Sequence, residues 1–180
     1  VSGLRGGRAA GPGLLARLDR FARAAFPVVA TALLMVLASA PAGLPAAGPA
    51  IAFAAVFFWS VFRPAILPPP AVFALGLLQD LLGFAPLGTG VLTLLLVHGF
   101  ALRVRGVLAR RSFWVVWLAC GATSLLAAAV GFALHAALTF SLPAWQAALA
   151  FAGLATGLYP LLALPFTRLH RAMQRDEVLA

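Results

Sequence analysis

Gly76-Leu77-Leu78-Gln79-Asp80-Leu81-Leu82-Gly83-Phe84-Ala85-Pro86-Leu87-Gly88 places a carboxylate inside an apolar stretch of the chain. Of the four acidic residues, Asp19 lies among arginines, and Asp176 and Glu177 lie near the C-terminal end. Only Asp80 sits within a hydrophobic segment, where an ionisable side chain is costly by insertion scales and demands a partner or a purpose. On a helix, Gly76, Gln79, Asp80 and Gly83 share one face through i, i+3 and i+4 spacing. The glycines would let a neighbouring helix approach, while Gln79 and Asp80 supply polar contacts. Gly83 and Pro86 end that helix and turn the chain. The next helix is expected to start near Leu87-Gly88-Thr89, which brings its free N–H groups and positive dipole end close to Asp80. The structural role for Asp80 is therefore to tie the hairpin, accepting from that helix start or from Thr89. Direct partner binding and proton or substrate coupling are the alternatives.

Composition fixes the class around this stretch. The chain is 63% hydrophobic and 9% charged, which leaves too little polar surface to coat a soluble globule. It reads as an all-α polytopic membrane protein. In a soluble chain a net charge of +9 would suggest nucleic acid. Here all thirteen basic residues are arginines placed between apolar runs, so they read as topology signals and lipid-headgroup contacts. Arg5, Arg8, Arg17, Arg20 and Arg23 precede the first run, and Arg63 follows the second. Arg103, Arg105, Arg110 and Arg111 separate the fourth from the fifth, and Arg168, Arg171 and Arg175 follow the last. The connections at about 41–50, 83–87 and 139–146 carry none. If basic residues stay cytoplasmic, the expectation is six transmembrane helices in three hairpins with both termini cytoplasmic.

Three regions follow: a basic cytoplasmic tail over 1–23, a membrane domain over 24–166 and a cytoplasmic tail over 167–180. Residues 1–12 are rich in Gly and Arg and read as disordered. Residues 13–25 alternate apolar and Arg positions at helical spacing, suited either to lying on an anionic leaflet or to extending the first span. The run from Ala24 to Ala40 reads as that first span rather than as a cleavable signal. Pro41, Pro45 and Pro49 with Gly43 and Gly48 mark a rigid outer turn. The second run, Pro49 to Phe62, is short, about 21 Å against a ~30 Å hydrocarbon core. The third (Pro70–Gly83) and fourth (Leu87–Leu102) are also short, and a spanning hairpin is favoured over a re-entrant one. The fifth, Phe113 to Leu138, is long enough to cross at a tilt. The sixth, Ala147 to Phe166, is interrupted by Pro160 and Pro165.

His98 and His135 lie in apolar runs, where interhelical hydrogen bonds are the expected use. A simple hairpin places His98 about two turns from Asp80, whereas His135 lies at about Asp80's depth. Gly153-x-x-x-Gly157, and more weakly Ala127 with Gly131, read as helix-packing motifs. Phe57, Phe58 and Trp59, and Trp114 and Trp117, read as interface or lipid-facing anchors. The lone Cys120 allows no internal disulfide. There is no lysine, no G-x-S-x-G or H-E-x-x-H, and no second embedded carboxylate, so no catalytic, metal or cofactor site is expected.

Arg63-Pro64, a proline-containing stretch, then Gly76-Leu77-Leu78-Gln79-Asp80-Leu81-Leu82-Gly83 and Pro86-Leu87-Gly88 resemble the rod shape-determining MreD family, most strongly across residues 59–105. Residues 76–102 reproduce its G-L-x-x-D-x-x-x-x-x-P-L-G pattern followed by an apolar helix. Phe84-Ala85 stands where relatives often carry a small polar residue, and the basic N-terminal tail lies outside the similar region. The resemblance implies a non-enzymatic scaffold of the bacterial inner membrane that supports rod shape and lateral peptidoglycan synthesis. It implies a bitopic MreC-like partner and a wider assembly of MreB, RodA and a class B penicillin-binding protein. Arg63, Pro64, Gly76, Gln79, Asp80, Gly83, Pro86 and Gly88 are the structural or partner-binding candidates. A distant likeness to six-helix vitamin-transporter subunits supports the fold more than an activity. The rival function is nevertheless the substrate-binding membrane subunit of a small-molecule transporter. A pocket lined by several polar and aromatic groups would favour it.

Overall fold

A computed structural model describes residues 14–39, 46–83 and 86–178, with side chains over 25–39, 46–83 and 86–163. Residues 1–12, Pro41 to Pro45, Phe84-Ala85 and the last two residues of the C-terminal tail, on which expectations were placed above, lie outside the described residues. The described chain forms six α-helices: α1 (Leu14–Ala38), α2 (Ala47–Phe62), α3 (Pro69–Leu82), α4 (Thr89–Leu108), α5 (Phe113–Thr139) and α6 (Trp145–Val178). Three segments are long and apolar enough to cross a membrane: Thr89–Leu108, Phe113–Thr139 and Trp145–Ala163. The apolar parts of α1, α2 and α3 are shorter, at Ala25–Ala38, Ala47–Phe62 and Pro69–Leu82.

The organising element is α2, which touches all five other helices. Its sequence is apolar all round, and such a helix has no polar side to turn outward. Ala50 and every residue from Ala52 to Val61 is buried. Alanines at 50, 52, 54 and 55 let neighbours come close, while Phe53, Phe57, Phe58 and Trp59 fill the space between them. Phe57 meets Tyr159 edge-on at 6.0 Å between ring centroids, and Phe53 meets Phe151 likewise at 5.7 Å. The expected anchoring role of Phe57, Phe58 and Trp59 is thus corrected, because all three are core residues at 2% exposure or less. Trp114, on α5, does face outward. Trp117 is half-buried, and its Nε1–H donates to the Thr156 carbonyl of α6 at 3.0 Å.

Around α2, α3 packs on α4, α4 on α5, and α5 on α6, while α1 covers α2 and α3. Other boundaries also differ from the sequence reading. Helix α1 runs through Pro27, and α6 runs through both Pro160 and Pro165 without interruption. Proline's fixed φ is itself helical, so the cost is a lost hydrogen bond and crowding of the preceding turn, which a packed apolar helix can absorb. Helix α1 starts before residue 24 and α6 continues past residue 166. Helix α4 is longer than expected because it continues past Arg103 and Arg105 to Leu108, with the two arginines exposed.

The α5–α6 seam is also not where the glycine pattern placed it. Gly153 and Gly157 face open space, as does Gly131, so none of them mediates helix approach. The seam is polar instead. Ser124 Oγ lies 3.1 Å from Thr156 Oγ1 and 3.3 Å from the Ala152 carbonyl. Gly121 is the glycine that matters there, since a Cβ on it would stand 3.3 Å from Thr156 Cγ2.

Candidate functional site

Gly76, Gln79 and Asp80 occupy the last two turns of α3, facing the start of α4. Gly83 ends α3 in an extended conformation, its N–H donating to the Gln79 carbonyl at 3.0 Å. It terminates the helix rather than joining the packing face, because its backbone has already left the helix. After the turn, the Pro86 carbonyl accepts both the Thr89 N–H at 3.2 Å and the Thr89 hydroxyl at 2.7 Å. Gly88 takes φ +98°, the left-handed region that favours glycine. It stands at the N-cap position of α4 with no side chain to cap with.

Asp80 supplies the missing cap from the other helix. Its Oδ2 accepts the Gly88 N–H at 2.8 Å and, more weakly, the Val91 N–H at 3.4 Å. Its Oδ1 accepts the Gly90 N–H at 2.7 Å. The first regular helical bond then runs from Leu92 N–H to the Gly88 carbonyl. Every backbone N–H from Gly88 to Leu92 is thereby satisfied, which is what a buried helix start requires. The carboxylate also faces the positive end of the α4 dipole. Of the two acceptor geometries expected for Asp80, the helix start is the one found. The Thr89 hydroxyl is used within its own turn.

Two glycines permit this closeness. A Cβ on Gly76 would lie 2.5 Å from Val91 Cα and 2.9 Å from Val91 N, both backbone atoms that cannot swing aside. A Cβ on Gly90 would lie 2.5 Å from Asp80 Oδ1. Gly90 is a site residue that sequence reasoning missed; its signal was the second glycine of Gly88-Thr89-Gly90, two places after the turn. Arg63 and Pro64 do not join the hairpin tip. They form the α2–α3 turn, where the Arg63 N–H caps α2 by donating to the Trp59 carbonyl at 2.8 Å. The length of α3, roughly 21 Å, separates them from Gly83.

No family profile, curated protein or solved structure matches the chain.

The polar residues of the helix interiors divide into two further places. His98 of α4 is buried against α2, its Nδ1 lying 2.7 Å from Ser60 Oγ. Ser60 Oγ in turn lies 2.6 Å from the Val56 carbonyl, a separation that requires the hydroxyl proton between them. Serine has one proton, so His98 must donate through Nδ1–H. The expected interhelical bond for His98 is present, and Asp80 is not its partner. His135 instead lines a cavity of about 210 Å³ between the α3–α4 hairpin and the α5–α6 hairpin. Gln79 and Thr93 contribute to the same wall, with Phe132, Ala148 and Phe151. Gln79, Thr89, Gly90 and Thr93 line it from the α3–α4 tip, and Pro143, Ala144 and the start of α6 from the α5–α6 tip, with Ala127 and Ala128 reaching it from the middle of α5. The Gln79 Oε1 is buried without a hydrogen-bond partner. The expected interhelical bond for His135 is not formed with any described residue. Sequence reasoning missed this cavity because its polar residues come from three helices, none of them clustered in the chain. Among the described residues, no group of three His, Cys, Asp or Glu side chains is placed to hold a metal.

Proposed function

We propose that the chain is a six-helix, three-hairpin scaffold of the bacterial inner membrane, with the arginine-bearing turns and both termini cytoplasmic. It serves the cell-elongation complex, holding an MreC-like bitopic protein within an assembly of MreB, RodA and a class B penicillin-binding protein. The observation that carries the reading is the occupied carboxylate. The acidic residue at the centre of the MreD-like pattern is engaged by the backbone N–H groups of Gly88, Gly90 and Val91. Such a carboxylate sets the shape of a hairpin rather than driving chemistry, which suits a protein that acts by presenting a rigid surface. Outward-facing Leu81 and Leu96 give α3 and α4 apolar sides that the other described residues leave uncovered. The test is complementation in a rod-shaped bacterium that lacks its own MreD. Photocrosslinking residues at Leu81 and Leu96 should capture the MreC-like protein. Deletion of residues 1–12 should preserve rods, and Gly76→Leu should lose them. Rods maintained by Gly76→Leu at native expression, with no such capture, would exclude the role.

A second reading is favoured by the cavity: a small-molecule binding subunit of a membrane transporter. The scaffold role has no use for an open pocket with hydrogen-bonding walls, whereas a binder needs one. The two readings separate on whether loss of the cavity or loss of the hairpin surface abolishes the cellular phenotype.

A further inference from the structure

We infer that the cavity between the α3–α4 and α5–α6 hairpins binds a small, uncharged, flat ring compound carrying an amide-type pair of hydrogen-bonding groups. The inference deepens the second reading above and rests on it, independently of the scaffold role. Size comes first. An apolar cavity of about 150 Å³ accepts benzene, so about 210 Å³ leaves room for one ring with a polar substituent. Charge comes next. The lining holds no carboxylate and no guanidinium, and both oxygens of nearby Asp80 are engaged by the start of α4. An ionic ligand would lose its hydration without gaining a fixed countercharge, so a neutral one is favoured.

The walls then say what a neutral ligand must offer. Phe132 and Phe151 provide aromatic surface, and the alanines and Gly131 keep the remaining wall low. Three side chains can hydrogen-bond: the Gln79 amide, the Thr93 hydroxyl and the His135 ring. None of them bonds to another described side chain or backbone group, unlike Ser60, His98, Ser124 and Thr156, which all find partners. Polar groups in an otherwise apolar pocket are normally satisfied, and a ligand that offers matching groups gains what these side chains do not find in the fold. A primary amide matches the Gln79 amide donor for acceptor, and its ring lies against the phenylalanines.

Equilibrium binding to the detergent-purified full chain tests this, read by ligand-observed NMR with three probes: benzamide, benzoate and toluene. Ala148→Phe, which fills the chamber, supplies the baseline for partitioning into detergent. Its melting temperature is checked against wild type, with Ala128→Leu as a second filling variant. Benzamide should saturate with a dissociation constant on the order of 1 mM. Gln79→Met should weaken it by roughly tenfold, as loss of a hydrogen bond predicts, with toluene unaffected. Benzoate or toluene binding as well as benzamide, or an unchanged benzamide affinity in Gln79→Met, would overturn the ligand class and leave a binding subunit standing. No saturable difference between wild type and the filled variants for any probe would overturn both.

Discussion

Asp80 shows how one side chain can close two helices. Its two oxygens cap a helix whose own N-cap, Gly88, has no side chain, and the left-handed turn that aims Gly88 and Gly90 at it requires a glycine at 88. Asp80→Asn keeps one acceptor oxygen and should retain part of the stability. Asp80→Leu leaves the Gly88 and Gly90 donors orphaned, about 1–3 kcal/mol each. In detergent the expected order of melting temperatures is wild type, then Asn, then Leu, and protein level in cells should follow it. Equal abundance with equal loss of function in both variants would point to proton coupling instead. Gly76→Ala is the matching steric test. Its methyl meets the Val91 backbone at 2.5 Å, so overpacking should cost about 1–3 kcal/mol. Gly153→Ala, which meets nothing, should leave the melting temperature unchanged or higher, because alanine is the better helix former. The Ser60–His98 pair predicts a non-additive cycle. Ser60→Ala strands the buried Nδ1–H, and replacing His98 with Leu in the same chain should recover part of that loss.

At the scale of elements, legibility depended on whether the deciding contact was local in sequence. The Gly76–Gly88 hairpin was readable because its polar acceptor and the donors it needed lie within a dozen residues, and a helix start always exposes N–H groups. The aromatic run Phe57-Phe58-Trp59 was misread because an all-apolar helix such as α2 suits lipid and protein equally, and only its five neighbours settle the choice. Aromatics near a helix end are common both at membrane interfaces and in cores, and only the packing partners decide between them. The Gly153-x-x-x-Gly157 pattern failed for a related reason. Spacing puts two glycines on one face without saying which way that face turns, and here the facing side was set by Ser124 and Thr156. The shortness of α2 also has a physical account: at 16 residues it falls short of a ~30 Å core, but a helix enclosed by protein has no lipid to match.

For the whole molecule, the helix connections sort the described features into two sets. The cavity, the Asp80 clasp and the loop around Ser141 lie at one end, and the Arg63 and Arg103–Arg111 turns lie at the other. The proposed three-hairpin topology predicts opposite accessibility for two exposed serines. Cysteine at Ser141 should react with an impermeant thiol reagent in intact spheroplasts, and cysteine at Ser112 only after lysis. The native Cys120 is fully buried and should contribute little background. Labelling in the reverse pattern would overturn the topology. The cavity was the part of the site least legible in the sequence, since Gln79, Thr93 and His135 converge only once four helices have packed.

The clasp also bears on the order in which the chain can enter a bilayer. When α3 leaves the ribosome, Asp80 has no partner, because the N–H groups it needs belong to residues 88–91, which are made later. An unpartnered carboxylate opposes insertion, and the nascent start of α4 carries its own unmet donors. Each segment therefore lacks what the other supplies. The two should partition together, as a preformed hairpin: a cysteine at Leu77 should stay open to a water-soluble thiol reagent in released chains truncated before Gly88 and become shielded in chains truncated after Leu108.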